Sequence, residues 1–237
     1  MNKKIGIFDS GIGGLTTLEE IKKILPNEDY IYYADSKNNP YGEKNTDELF
    51  KITKNIVDYL ISENVKIIVI ACNTATTKCI SMLRDAYPNM IFVGTEPAIK
   101  VACDNNYKNT LVMATPGTIS SDRTHELIDN NIKKNENIYL VACDGLANAI
   151  ENKNDSLIDS ILHKYLDPYK NYNIDAIVLG CTHYPIIGDK IHSFFPNSVL
   201  IDGNKGVANQ VKKQLEVNNL LNNKTSEGKV KFIQTKK

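Results

Sequence analysis

The protein has 237 residues, 42% of them apolar and 24% charged, which is the ordinary balance of a folded globular chain. Its 28 basic residues meet 28 acidic ones, so the overall charge gives no reason to expect nucleic acid or a membrane as a partner. Nearly all the basic residues are lysine, with Arg84 and Arg123 the only arginines. A bound carboxylate is therefore expected on backbone N–H, hydroxyl and amide groups rather than on a guanidinium fork.

The opening "MNKKIGIFDSGIGG" has its apolar run broken by Asp9, so it does not read as a signal peptide. No later stretch has the length of a membrane span. Cys72, Cys79, Cys103, Cys143 and Cys181 are odd in number, widely spread and free of any Cys-x-x-Cys. This argues against a disulfide framework and a zinc motif, and a reducing, cytoplasmic setting is expected, with no metal.

Along the chain, short β-branched runs alternate with longer amphipathic stretches, the pattern of an α/β protein with parallel strands. Strands are predicted near Lys4–Phe8, Tyr30–Ala34, Lys66–Ala71 and Ile91–Gly94, with helices near Thr16–Leu25, Thr46–Glu63 and Ala75–Ala86. A second series of strands follows near Thr110–Ala114, Ile138–Ala142, Asp175–Gly180 and Val199–Ile201. Asn204–Leu221 reads as a further helix, "NNKTSEGK" as a polar loop and "VKFIQT" as a last short strand.

The two series are one unit used twice. "KIIVIACNTATT" (66–77) aligns with "DAIVLGCTHYPI" (175–186), which places Cys72 on Cys181 at a separation of 181 − 72 = 109. "IGIFDSGIGG" has its counterpart in "LVMATPGTIS" (111–120), which places Asp9 on Thr115 at 115 − 9 = 106. Near-equal offsets for two pairings imply two pseudo-symmetric, doubly wound (flavodoxin-like) parallel-sheet domains. The expected domains are 1–94 joined by a returning segment at about 208–237, and 95–207, with the active site in the cleft between them.

Taken alone, Cys72 after an apolar strand reads as a small buried core residue. Its twin at Cys181 changes that reading. In an open parallel sheet ligands bind beyond the carboxyl ends of the strands, where a helix N-terminus favours thiolate over thiol. One thiol on each wall of a cleft provides an acid and a base on opposite faces of a substrate carbon. That is the requirement for inverting a stereocentre by proton exchange, with no redox change. Cys79, Cys103 and Cys143 lack such a context and read as structural.

Asp9 and Ser10 in "FDSGIGG" either cap a helix or assist the chemistry, and the glycines supply N–H groups able to hold an anion. His183, two residues after Cys181, can relay its proton. In "NNPYGEK", the backbone N–H groups of Tyr41 and Gly42 are placed to meet a carboxylate, although the turn is also readable as an ordinary loop.

The segments "FDSGIGGLT", "PYG", "ACNTA", "EPAIK", "ATPGTI" and "GCTHYP", in this order, resemble the cofactor-independent glutamate racemases of the aspartate/glutamate racemase superfamily over residues 4 to 207. The resemblance implies interconversion of L- and D-glutamate, supplying D-glutamate for bacterial peptidoglycan, by a cytoplasmic homodimer. It implies Cys72 and Cys181 as the acid–base pair, assisted by Asp9 and His183, with Glu151 of "ANAIE" orienting the histidine. Substrate contacts would come from Asp9, Ser10, Tyr41, Gly42, Asn73, Thr74, Thr182 and His183, joined by Thr115 and Thr118. The thiols alone do not distinguish glutamate from aspartate or another carboxylate. A cysteine hydrolase using Cys181 and His183 would leave Cys72 idle, and a two-lobed binding module would need no matched thiols.

Overall fold

The computed structural model describes residues 3–236. Among these the strands are β1 Lys4–Asp9, β2 Tyr30–Ala34, β3 Val65–Ile70, β4 Phe92–Gly94, β5 Asn109–Ala114, β6 Asn137–Ala142, β7 Ala176–Gly180, β8 Val199–Ile201 and β9 Val230–Gln234. The early helices are α1 Leu15–Ile24, α2 Thr46–Ser62, α3 Asn73–Ala86, α4 Ile99–Asp104 and α5 Pro116–Ile119. They are followed by α6 Asp122–Asp129, α7 Leu146–Glu151, α8 Asp155–Leu166, α9 Gly188–Phe194 and α10 Asn204–Val217. None of the described helices is long and apolar enough to cross a membrane.

The chain forms two compact units, one running to Thr95 and resuming at Asn204, the other Glu96–Gly203. In the first unit the strand order is β4-β3-β1-β2-β9, and in the second it is β6-β5-β7-β8. All pairings are parallel. Reading β5 to β8 as the equivalents of β1 to β4, the two orders are the same, and β9 is an addition to the first. This is the flavodoxin-like order, in which the chain's progress across the sheet reverses between its first and third strands.

Both faces of each sheet are covered, so the central strands are apolar throughout and alternate between two cores. Ile5, Ile7, Ile67 and Val69 point toward Leu18 and Ile21 of α1 and Val207 and Val211 of α10. Phe8, Ile68 and Ile70 point the other way, toward Leu49, Ile56 and Leu60 of α2 and Leu83 of α3. In the second unit Leu111, Met113, Ile177 and Leu179 meet Leu146, Ile158, Leu162 and Ile191. Val112 and Val178 meet Ile99 and Ala102 on the opposite face.

Helix boundaries follow local chemistry. The Asn45 side chain accepts from Glu48 N–H at 2.9 Å and starts α2. Helix α3 begins at Asn73, two residues earlier than the periodicity predicts, because Cys72 caps it. Helix α10 stops at Val217, short of the Leu221 expected from sequence, as the chain turns through Asn219 at φ 55°. It starts at Asn204, whose amide oxygen accepts from Thr17 Oγ1 at 2.6 Å, fastening α10 to α1.

The segment from α10 back to β9 is held by a buried ion pair. Lys66 Nζ lies 2.6 Å from Glu28 Oε2, with both side chains 2% exposed. Lys66 Nζ also donates to the Leu220 carbonyl at 2.5 Å, and Glu28 Oε1 accepts from Asn222 N–H at 2.8 Å. Gly228 then passes so near that a Cβ would fall 1.5 Å from the Glu28 carbonyl oxygen. Lys66→Met leaves the Glu28 charge buried without its partner and is expected to lower unfolding free energy by about 3–5 kcal/mol. Denaturant unfolding monitored by circular dichroism measures this.

Candidate active site

In the first unit the switch point falls between β1 and β3. Phe8 pairs with Ile70, and Ala71 N–H donates to the Phe8 carbonyl at 2.9 Å. The next residues along the two strands are Asp9 and Cys72, so both emerge at the same sheet edge. Asp9 Oδ2 accepts from Gly14 N–H at 2.9 Å and from Gly11 N–H at 3.4 Å. Gly14 is the residue that precedes α1, so the Asp9 carboxylate fastens the loop that leads into that helix. A Cβ on Gly14 would lie 2.8 Å from Asp9 Cβ and 2.9 Å from Ala71 Cβ, so only glycine lets the loop close on the carboxylate. Ser10 is buried alongside.

Cys72 is the N-cap of α3, and its Sγ accepts from Ala75 N–H at 3.5 Å. A sulfur in this place faces the positive end of the helix dipole, which stabilises the anion. Cys72 is only 6% exposed, as is the neighbouring Asn73. Asn73 Oδ1 is buried and has no hydrogen-bond partner among the described residues. Thr74 is also buried.

Tyr41 and Gly42 lie in a short 3-10 turn, Tyr41–Glu43. The Tyr41 hydroxyl donates to Asp35 Oδ2 at 2.7 Å. Burial first, then the charge and hydrogen bond of Asp35, with smaller contributions from Cys72 and Asp9, hold the Tyr41 phenol well above its ordinary range. It therefore stays protonated as a donor, in the neighbourhood of both Cys72 and Asp9. Lys78 of α3 donates to the Lys44 carbonyl at 2.7 Å, tying this turn to the helix that Cys72 caps.

In the second unit β5 and β7 meet at the equivalent switch point, with Ala114 opposite Gly180. Thr115 and Cys181 follow directly. Cys181 Sγ lies 3.8 Å from His183 Nδ1, and His183 Nε2 lies 2.7 Å from Glu151 Oε2. A carboxylate at Glu151 can only accept, so in that state Nε2 carries a hydrogen, and a neutral ring then turns the acceptor Nδ1 to the thiol. His183 is 1% exposed. Glu151 ends α7 while His183 follows β7, and the fold brings these residues together across 32 positions. Thr182 is buried next to Cys181. Thr115 caps α5, its Oγ1 3.1 Å from Thr118 Oγ1.

The remaining cysteines differ in kind. Burial pushes the Cys79 and Cys103 thiols up to about 11. Burial and then the neighbouring Cys181 push Cys143 up to about 12. Both arginines are engaged elsewhere: Arg123 donates twice to Glu96, at 2.7 and 3.2 Å, and Arg84 donates to the Phe92 carbonyl at 3.3 Å. The motif reading does not single out Asp35, although "YIYYADSKN" has the same strand-to-polar switch as "IGIFDSGIG". Nor does it single out Asn39, whose buried amide has neither its Nδ2 nor its Oδ1 paired.

Two equivalent parallel sheets, each with a cysteine directly beyond its switch-point strand, define a duplicated α/β protein with a thiol in each repeat. The chain belongs to the Asp/Glu/Hydantoin racemase family, whose model matches residues 14–211. It is 42% identical over 239 residues to a glutamate racemase of Clostridium kluyveri, covering 99% of this chain and 92% of the relative. The crystal structure of glutamate racemase from Francisella tularensis in complex with D-glutamate superposes with a TM-score of 0.84 at 32% identity, covering 99% of this chain and 89% of that one. The Escherichia coli glutamate racemase, in complex with L-glutamate and the activator UDP-MurNAc-ala, gives 0.82 at 31% identity, covering 91% and 83%.

The differing surroundings of the thiols predict their reactivity. Iodoacetamide at about pH 8 is expected to label Cys72 and Cys181 of the native protein, while Cys79, Cys103 and Cys143 react only after unfolding. Peptide mass spectrometry separates the sites; Cys143 labelled as fast as Cys181 would contradict the assignment.

Proposed function

We propose that this chain racemises glutamate, interconverting the L and D enantiomers by two-thiol proton transfer at Cα. The observation that carries the reading is the repeated thiol. Cys72 and Cys181 occupy equivalent positions beyond equivalent strands, yet each has its own polar support. The relatives add weight, since two similar racemases are known in complex with opposite enantiomers of glutamate.

In this scheme one thiol meets each face of the α-carbon. Cys72, as thiolate at the α3 N-terminus, takes the proton from one face, and Cys181 delivers a proton to the other. The reverse reaction exchanges the roles, and no step draws on a cofactor. Asp9 serves the Cys72 side, while His183, oriented by Glu151, serves Cys181. Ser10, Asn73, Thr74, Thr182 and the backbone N–H groups of Tyr41 and Gly42 hold the substrate's polar groups, with Thr115 and Thr118 contributing from the second unit. With Arg123 paired to Glu96 and Arg84 bound to the Phe92 carbonyl, such N–H, hydroxyl and amide donors are the groups suited to the two carboxylates. The reading extends to a cytoplasmic homodimer that supplies D-glutamate for peptidoglycan.

Incubation of the purified protein with L- or D-glutamate in D₂O, with no added cofactor, is expected to place deuterium at Cα and produce both enantiomers. Exchange with aspartate but not glutamate overturns the substrate while keeping the chemistry. Cys72→Ala and Cys181→Ala are each expected to lower kcat at least about 100-fold, the scale of a lost general acid or base. An active single variant would refute the two-thiol scheme.

A further inference from the structure

Strand β9 lies at the edge of the first unit's sheet, parallel to β2, with Ala34 opposite Gln234. From there it supports two loops near Cys72. The Phe232 ring stacks on Tyr32, centroids 5.6 Å apart and planes within 3°, and the Tyr32 hydroxyl donates to the Gly11 carbonyl at 2.8 Å. This buttresses the loop that carries Asp9 and Ser10.

The second support is more directional. Just past the strand, Thr235 N–H donates to the Ala34 carbonyl at 3.0 Å. Its hydroxyl accepts from Lys37 N–H at 2.9 Å and donates to Asp35 Oδ1 at 3.0 Å. Asp35 is 1% exposed; its other oxygen accepts from the Tyr41 hydroxyl and from Asn38 Nδ2 at 2.7 and 2.9 Å, and Asn38 Nδ2 also reaches Oδ1 at 3.0 Å. A buried carboxylate is held in one orientation only while its donors are in place. The Thr235 hydroxyl donates to that carboxylate and, by accepting from Lys37 N–H, also fastens the backbone two residues further on. Position 235 is thereby connected to position 41 through a single carboxylate.

We propose that Thr235 is a positioning residue for substrate binding: by anchoring Asp35 and Lys37 it holds the Tyr41–Gly42 turn where its backbone N–H groups meet a substrate carboxylate. The proposal rests on the racemase reading for the identity of that carboxylate. Thr235 touches no reacting atom, so its removal is expected to weaken binding rather than proton transfer.

The test compares Thr235→Val with Thr235→Ser in the full-length chain. Thr235→Val is expected to raise KM for glutamate roughly tenfold, the scale of losing a hydrogen bond to a charged group, with kcat within about twofold of native. Thr235→Ser keeps the hydroxyl and is expected to restore KM. Hydrogen–deuterium exchange of the free protein is expected to be faster over residues 36–42 in Thr235→Val than in native. An unchanged KM, a fall in kcat alone, a lowered thermal midpoint that accounts for the lost activity, or a serine variant as impaired as valine would each overturn the proposal. So would unchanged exchange over residues 36–42. That readout does not need turnover, so a native chain inactive on glutamate defeats the glutamate reading while leaving the positioning of the turn open to measurement.

Discussion

Parallel pairing of the first and third strands of each repeat is the constraint from which the candidate site follows. Ile70 opposite Phe8 and Gly180 opposite Ala114 bring the ends of neighbouring strands level, so the residues that follow emerge at one edge. Side chains alternate between two buried cores, so a slip of one residue would exchange the residues that pack on α1 and α10 with those that pack on α2 and α3. The cores thus enforce a register that the polar residues could not enforce by themselves. Asp9 with Cys72, and Thr115 with Cys181, emerge together because the apolar residues behind them are paired in this register.

From equivalent backbones the two repeats build different electrostatic surroundings. Cys72 draws on the amino terminus of α3 and an N–H donor from Ala75, a fixed dipole that needs no proton of its own. Cys181 precedes only a short 3-10 turn and has instead a titratable neighbour in His183, backed by Glu151. The Cys72 sulfur has a backbone N–H donor within reach, and the Cys181 sulfur has an imidazole. The buried Cys143, beside Cys181 and pushed up to about 12, stays neutral and adds no competing charge.

The returning C-terminal segment does more than extend a sheet. Through the Lys66–Glu28 pair it is locked at one end of the strands, and through Phe232 and Thr235 it reaches the loops at the other end. A strand added at the edge of the first unit thereby acts on loops that chain position alone would leave unconnected to it.

The sequence by itself determined the α/β class, the strand positions and the duplication, because periodicity and burial are written locally in runs such as "KIIVIA" and "DAIVLG". It also drew attention to Cys72 and Cys181, since each ends an apolar run at the same point of the repeat. Helix ends were less legible: the thiol cap that begins α3 at Asn73 and the turn at Asn219 depend on single hydrogen bonds and one positive φ rather than on a pattern. The resemblance had already named His183 and Glu151 for Cys181, and the tertiary structure supplied their distances and the links that no motif names. His183 meeting Glu151, and Asp35 joining Tyr41 to Thr235, are contacts between residues 32 and 200 positions apart in the longest cases. Such contacts carry no periodic signal, because a hydrogen-bond partner is selected by where folded strands end and not by its distance along the chain.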